Sequence, residues 1–460
     1  MNVSRDVSIT RSLAREIVDT GFADIPAGAM AAVKRLVVDH IGITYMGAAL
    51  TGKGILDYAR DVGGKPEAVL IGTDLKVPAD QAAGINGHLC RTTDFEETGP
   101  GTHVGPLCVH TALAAGQRAH ASGREVLAAI ALGYLLMGRF HFGRTGAGWP
   151  RTGDAQHRVV AAAITARVLG FDAVATAMAM SLAWELGGTM LKTTESSGAT
   201  TYMAKRVTPF ASLTPLAHAR TGVQAAIMAG YGCDSLSDQI DTQRANYDLA
   251  QLLRQPAPWH WVDGEMELKP WVCSRHSQAG MQAVHDLRQQ HRIDPKAITA
   301  MRLRLSNMYT RPWQWEPAPD TYWEAIYSSQ WAAAMIVQGI PAGPQWVSAE
   351  RLADPFSRKL AAAVEVIEDQ ESSKAYWELR WMDIRGQAEI DAGGRTYISP
   401  ILTMRDAWGS PGKDMPDAVV AEKFFECTAL SMPRPRAERL YSAANRLEKM
   451  ADVNELAALM

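Results

Sequence analysis

AMAAVKRLVVDHIGITYMG, residues 29–47, and GREVLAAIALGYLLMGRFH, residues 123–141, decide the fold class. In both, apolar residues recur at three- and four-residue spacing, the period of an α-helix with a buried face. Working outward, the same period runs through HTALAAGQRAHA (110–121), HRVVAAAITARVLG (157–170) and TPLAHARTGVQAAIMAGYG (214–232). Several of these segments end near glycines suited to helix C-termini, and their alanines favour helix and close helix approach. The spacing predicts one large all-helical domain over residues 1–262.

Near Trp259 the pattern changes. LKPWVCSRHS (268–277) reads as a loop entering a helix, and AITAMRLRLSN (297–307) alternates apolar and polar residues like a strand. A helix is predicted around Trp323 to Val337. AAAVEVIEDQ (361–370) and YWELRWMDIRGQAEIDAGGRTYISP (376–400) then carry two-residue alternation with glycine turns. This mixture predicts a smaller α+β domain over 263–402, with helices again over 403–460. The fold class expected is mainly α.

Composition narrows the function. Of 460 residues, 47% are hydrophobic and 21% charged, the balance of a folded globular chain with two or three domains. The 46 basic and 49 acidic side chains nearly cancel, which gives no basic footprint for nucleic acid and no polybasic membrane patch. Five scattered cysteines (Cys90, Cys108, Cys233, Cys273, Cys427) fit reduced thiols better than a disulfide or zinc framework. The N-terminus enters an amphipathic helical pattern with no signal-peptide core. The apolar run Val126 to Met137 is short and interrupted by Gly133, so no membrane span and a cytoplasmic location are expected.

Three segments carry candidate chemistry. HLCRTTDFEETGPGTHVGP (88–106) gathers Asp94, Glu96, Glu97, Thr98 and His103 between helical patterns, where a rigid scaffold presents loop residues to a cleft. A solvated acidic helix N-terminus is its structural alternative. YMAKRVTPF (202–210) offers Lys205 and Arg206, and LKPWVCSRHS offers Lys269, Arg275 and His276 at the domain junction. Cations suit a carboxylate ligand, although solvated or structural roles fit both segments as well. No HExxH, Walker loop, GxGxxG or GxSxG pattern is present.

GGKPEAVLIGTDLKVPADQAAGINGHLCRTTDFEET (63–98) resembles the signature of the MmgE/PrpD family, with its GG-x-P-E-A turn, VPA-x-x-AA-x-x-NG run and acidic box. MAKR (203–206), LKPWVCSRH (268–276), ADP (353–355) and DAVVAEKFF (417–425) follow in the family's order. The family includes 2-methylcitrate dehydratase, cis-aconitate decarboxylase and iminodisuccinate epimerase. The resemblance implies a homodimer, C-terminal helices that return to the helical domain, and an interdomain site without metal or organic cofactor. It implies catalytic roles for Asp94, His103, Lys205 and His276. Substrate contacts would come from Arg91, Thr98, Arg206, Lys269 and Arg275. The expected activity is a lyase that removes a proton alpha to a carboxylate and eliminates water from a small hydroxy (poly)carboxylate. An epimerase, an isomerase, a decarboxylase or a non-catalytic carboxylate binder are the alternatives.

This chain also departs from the family. Arg91 stands where a histidine is common, Gly148-Trp149-Pro150-Arg151 replaces a Gly-Trp-His-Pro run, and Trp331 replaces a tyrosine. His157 is a spatial substitute for the missing histidine in this reading. Trp259, Trp261, Trp271, Trp313, Trp315, Trp323 and Trp331 either line a pocket or pack the core.

Overall fold

The computed structural model describes residues 7–99, 103–145, 153–186, 214–235, 238–307, 317–378, 383–410 and 413–460. The chain opens with helices α1 (Ile9–Asp19), α2 (Ala27–Leu50), α3 (Lys53–Val62), α4 (Ala79–Arg91) and α5 (Gly105–Ala119). Then come α6 (Gly123–Phe142), α7 (Gly153–Val168), α8 (Ala173–Leu186) and α9 (Thr214–Gly230). A short antiparallel pair, β1 (Ala68–Val69) and β2 (Lys76–Val77), precedes α4.

Local chemistry starts the helices. Ser8 accepts a hydrogen bond from the Arg11 amide at the head of α1, and Ser122 accepts one from the Glu125 amide at the head of α6. From Leu36 to Gly47 every residue of α2 is buried, so this helix runs through the centre instead of lying on the surface. Gly47 makes that possible: a Cβ there would stand 1.9 Å from the Leu89 carbonyl oxygen of α4. The α2 and α4 backbones therefore touch.

Helix α6 corrects one expectation. By length and composition, Gly123–Phe142 is long and apolar enough to cross a membrane, because Gly133 does not interrupt the helix. Its apolar window is 83% buried inside the protein, where it packs against α5 and α7.

The smaller part is built from α10 (Gln278–His291), β3 (Ile298–Leu305), α11 (Tyr322–Tyr327), α12 (Ser329–Gln338) and α13 (Pro355–Ala362). It continues through β4 (Val364–Glu368), α14 (Gln370–Glu378), β5 (Arg385–Ala392), β6 (Arg395–Ile398) and β7 (Leu402–Thr403). The sheet order is β4-β3-β5-β6, with β7 also paired to β5. Strands β3 and β4 run parallel, while β5 is antiparallel to β3 and β6. Every second residue of β5 is buried, and α10 covers that face. A mostly helical fold with a smaller β-containing region is thus the architecture.

Two local expectations are revised. The helix around Trp323 to Val337 is two helices, broken at Ser328, whose backbone is extended and whose hydroxyl caps α12 by accepting from the Trp331 amide. Tyr376 to Glu378, expected to alternate as strand, complete α14. Arg385 to Ile398 form the β5–β6 hairpin, turned by Gly393 and Gly394 at positive φ. Finally α15 (Asp417–Thr428) packs against α2, and α16 (Arg434–Ala444) follows it.

Candidate active site

Helix α4 ends at Arg91, and the acidic residues 92–99 follow it as a loop. Asp94 adopts a left-handed backbone (φ 48°), a conformation Asp tolerates better than most residues. The turn carries the acidic side chains inward. Asp94 is 3% exposed, and Glu96 and Glu97 are fully buried. This rules out the solvated acidic turn, and each buried carboxylate then needs a partner.

Two cations supply the first set. Arg91 Nη1 lies 2.9 Å from Asp94 Oδ1 and 3.2 Å from Glu96 Oε1. Lys269 Nζ donates to the Asp94 carbonyl at 2.6 Å and stands 3.3 Å from Asp94 Oδ1. His103 Nδ1 is 2.6 Å from Glu96 Oε1, with 27% of the imidazole side chain still accessible. Burial opposes ionisation of Glu96, yet the Arg91 and Lys269 charges outweigh it and hold its carboxyl well below the usual range. For His103, burial and then Arg91 lower the pKa against the opposing pull of Glu96. At neutral pH the geometry is therefore an ionised carboxylate orienting a neutral imidazole.

Tyrosines reach the same group. Tyr327 shares a hydrogen bond with Arg91, and burial together with the Asp94 charge raises its pKa, which keeps the phenol protonated. Tyr322 donates to the Thr92 carbonyl at 2.9 Å. Trp331 itself packs the α+β core, its indole N–H donating to the Trp346 carbonyl at 2.8 Å.

Behind the loop, Glu97 is held from three sides. His40 Nε2 approaches Glu97 Oε2 at 2.6 Å, the Gly105 amide donates to Oε1 at 2.7 Å, and the Tyr134 hydroxyl donates to the same oxygen. Lys423 of α15 donates to the carbonyls of Phe95 and Lys269 at 3.0 and 2.8 Å and pairs with Asp39 at 2.7 Å. One buried ammonium thereby ties together α2, the acidic loop and the Lys-Pro segment.

Next to this group Thr98 forms a backbone bridge with Glu267, amide to carbonyl at 3.0 and 2.8 Å. Arg275 clamps the Glu267 carboxylate through two nitrogens at 2.6 and 3.1 Å. His276 Nδ1 is 3.4 Å from the Tyr376 hydroxyl. So Arg91, Asp94, His103 and Lys269 come together, while Thr98, Arg275 and His276 attach through Glu267 and α14. Lys205, Arg206 and residues 148–151 lie outside the described residues, as do Trp313 and Trp315. His157 stacks on His218 between α7 and α9, ring centroids 5.5 Å apart.

The sequence reading placed Glu96 and Glu97 in the acidic cluster without choosing either as a site residue, and it gave no role to Tyr327, His40 or Lys423. A signal existed for Lys423, which stands at helical spacing from Val419 and Val420 and directly before Phe424 and Phe425. None existed for Tyr327, whose approach to Arg91 depends on the break at Ser328. Of the tryptophans, Trp261 is core, and Trp271 joins His285 and Trp408 around a cavity of about 200 Å³.

Asp94, Glu96 and His103 bring ligand atoms within 4.8 Å of one another, close enough for a cation. Arg91 and Lys269 already stand against those carboxylates and provide the positive charge that an ion would bring. The arrangement suits proton transfer beside a fixed cationic field.

Comparison with curated proteins gives no match. Family comparison does: residues 11–256 match the MmgE/PrpD N-terminal domain, and residues 271–449 match the MmgE/PrpD C-terminal domain. The two matches account for both the helical and the β-containing parts just described, and the chain belongs to the MmgE/PrpD family.

Proposed function

We infer that this chain is a lyase that removes a proton alpha to a carboxylate and eliminates water from a hydroxy (poly)carboxylate. The observation that carries the reading is the 2.6 Å contact between Glu96 and His103. A carboxylate beside Nδ1 favours the tautomer with its proton there, so Nε2 bears the lone pair that takes the carbon-bound proton. The enolate formed is stabilised by the cations grouped around Asp94, namely Arg91 and Lys269. In this reading Lys205 and Arg206 complete the cationic set around the substrate carboxylates. Tyr327, held protonated, gives its proton to the departing hydroxide, which leaves as water. The proton taken by His103 then returns through solvent to the phenolate.

Proton NMR of 2-methylcitrate, cis-aconitate and simple hydroxy and amino dicarboxylates, incubated with the protein in deuterium oxide, tests this directly. Loss of water from a hydroxy acid supports the reading. Deuterium wash-in with inversion replaces it with epimerisation, and carbon dioxide loss replaces it with decarboxylation. Complete inertness of every compound would remove small polycarboxylates as the substrate class.

A further inference from the structure

Beneath the acidic loop, three helices each place one soft or nitrogen ligand at a common point. His40 of α2, Cys90 of α4 and His110 of α5 are all buried, and one ligand atom from each lies within 4.8 Å of the others. Cys90 Sγ stands 3.5 Å from His40 Nδ1. Sulfur at roughly 2.3 Å and nitrogen at roughly 2.0–2.1 Å from a tetrahedral zinc are themselves about 3.5 Å apart. The two side chains thus already have the separation of ligands that share an ion.

We propose that His40, Cys90 and His110 hold one zinc-class divalent cation, which staples α2, α4 and α5 together behind the acidic loop. Three further features support the site. The outward nitrogen of His40, Nε2, lies 2.6 Å from Glu97 Oε2, which leaves Nδ1 facing the thiol. A carboxylate behind a ligating imidazole is the usual outer support of a metal site. Second, the charges cancel: a divalent ion, the Cys90 thiolate and the Glu97 carboxylate sum to zero, as a fully buried cluster requires. Third, His110 is poorly satisfied without an ion. Its Nε2 meets the Thr44 hydroxyl at 3.1 Å, and its Nδ1 has no hydrogen-bond partner among the described residues. A buried polar group of that kind calls for an additional partner.

Binding is an exchange with no redox change: the ion forms its bond to sulfur, and the Cys90 thiol proton leaves to solvent. In the metal-free protein, burial and the neighbouring carboxylates Glu96, Glu97 and Asp39 keep that thiol protonated. The ligands are closed off in the core, so the ion enters as the chain folds. The site is separate from the Asp94, Glu96 and His103 group and does not depend on the reaction assigned to it.

The test uses the full chain carrying Cys233→Ala, which removes the exposed thiol. This protein is unfolded with chelator and reductant, refolded with cobalt(II) or zinc(II), desalted, and assayed for metal by mass spectrometry. The expected result is about one equivalent per chain, with a thiolate-to-cobalt absorption band, lost in Cys90→Ala and His110→Ala but kept in His103→Ala. Metal lost in His103→Ala but kept in Cys90→Ala would overturn the proposal. So would metal kept in all three variants, or a natively folded parent that takes up none. Should Cys90→Ala not refold, the parent spectrum decides, because absence of the thiolate band refutes the site.

Discussion

Lys423 Nζ lies 2.7 Å from Asp39 Oδ1, in a region where the two side chains are 3% and 2% exposed. The pair joins α15 to α2 directly beneath Phe95, whose ring also faces the ammonium at 3.9 Å. Lys423→Met should leave Asp39 as an uncompensated buried charge and strip two carbonyls of their donor. The expected loss is about 3–5 kcal/mol of unfolding free energy, measured by denaturant titration. Adding Asp39→Asn should recover part of that loss, and a double variant no more stable than the single one would show the charge pair is not the cause.

Glu96 and His103 should act as a unit on any substrate turned over. His103→Ala is expected to lower kcat by about 10²–10⁴-fold with little change in stability, since the imidazole is partly exposed. Glu96→Gln should also lower kcat. Because the Glu96 charge raises the His103 pKa, its removal should move the acid limb of the kcat/KM profile to lower pH. An unmoved limb would separate His103 from the pH dependence.

Acid should weaken the fold through the same loop. Burial opposes ionisation of Glu97, but His40 and the Tyr134 hydroxyl lower its pKa below the ordinary 4.5. A carboxyl depressed in the folded state contributes stability that is complete above about pH 4.5 and fades as the pH falls through the folded value. Glu96 adds a contribution of the same sign. Unfolding free energies measured from about pH 6 down to about pH 3 should fall less steeply in Glu97→Gln than in the parent.

On the alkaline side the sign reverses. Burial, and then the Glu97 charge, push the Tyr134 phenol well above its ordinary 10.0. The stability it contributes is present below about pH 10 and is lost as the pH rises above that value. Tyr134→Phe should remove this alkaline loss. It should also cost about 1–3 kcal/mol at neutral pH by leaving Glu97 short of a donor, as thermal or denaturant unfolding would reveal.

Gly47→Ala probes the crossing of α2 and α4. With the Leu89 carbonyl oxygen 1.9 Å from the added methyl, the helices must separate. The expected cost is about 1–3 kcal/mol or more, read as a lower melting temperature. A neutral effect would mean the crossing yields easily.

How far the sequence could be read depended on the range of the interaction involved. Helical apolar spacing located α2 and α6, which are buried on every side over much of their length, and two-residue alternation located β3 and β5, because both patterns are set within a single element. Periodicity failed at Ser328, where one side-chain cap divides α11 from α12, and at α14, where a tertiary setting overrode a short alternation. The acidic box was legible as a cluster, but its inward turn was not, since that rests on the backbone of Asp94 and on partners far along the chain.

By itself the sequence determined the family, the mainly helical class with its smaller β-containing part, and the loop where candidate acids and His103 sit. Only the tertiary structure decided that Glu96 is the carboxylate on His103, that Tyr327 stands by Arg91, and that Lys423 binds under the loop. It alone also brought His40, Cys90 and His110 together. The reason is physical: helical and strand periods are set by neighbours a few residues away, whereas a buried charge finds its partner wherever the packed fold places one.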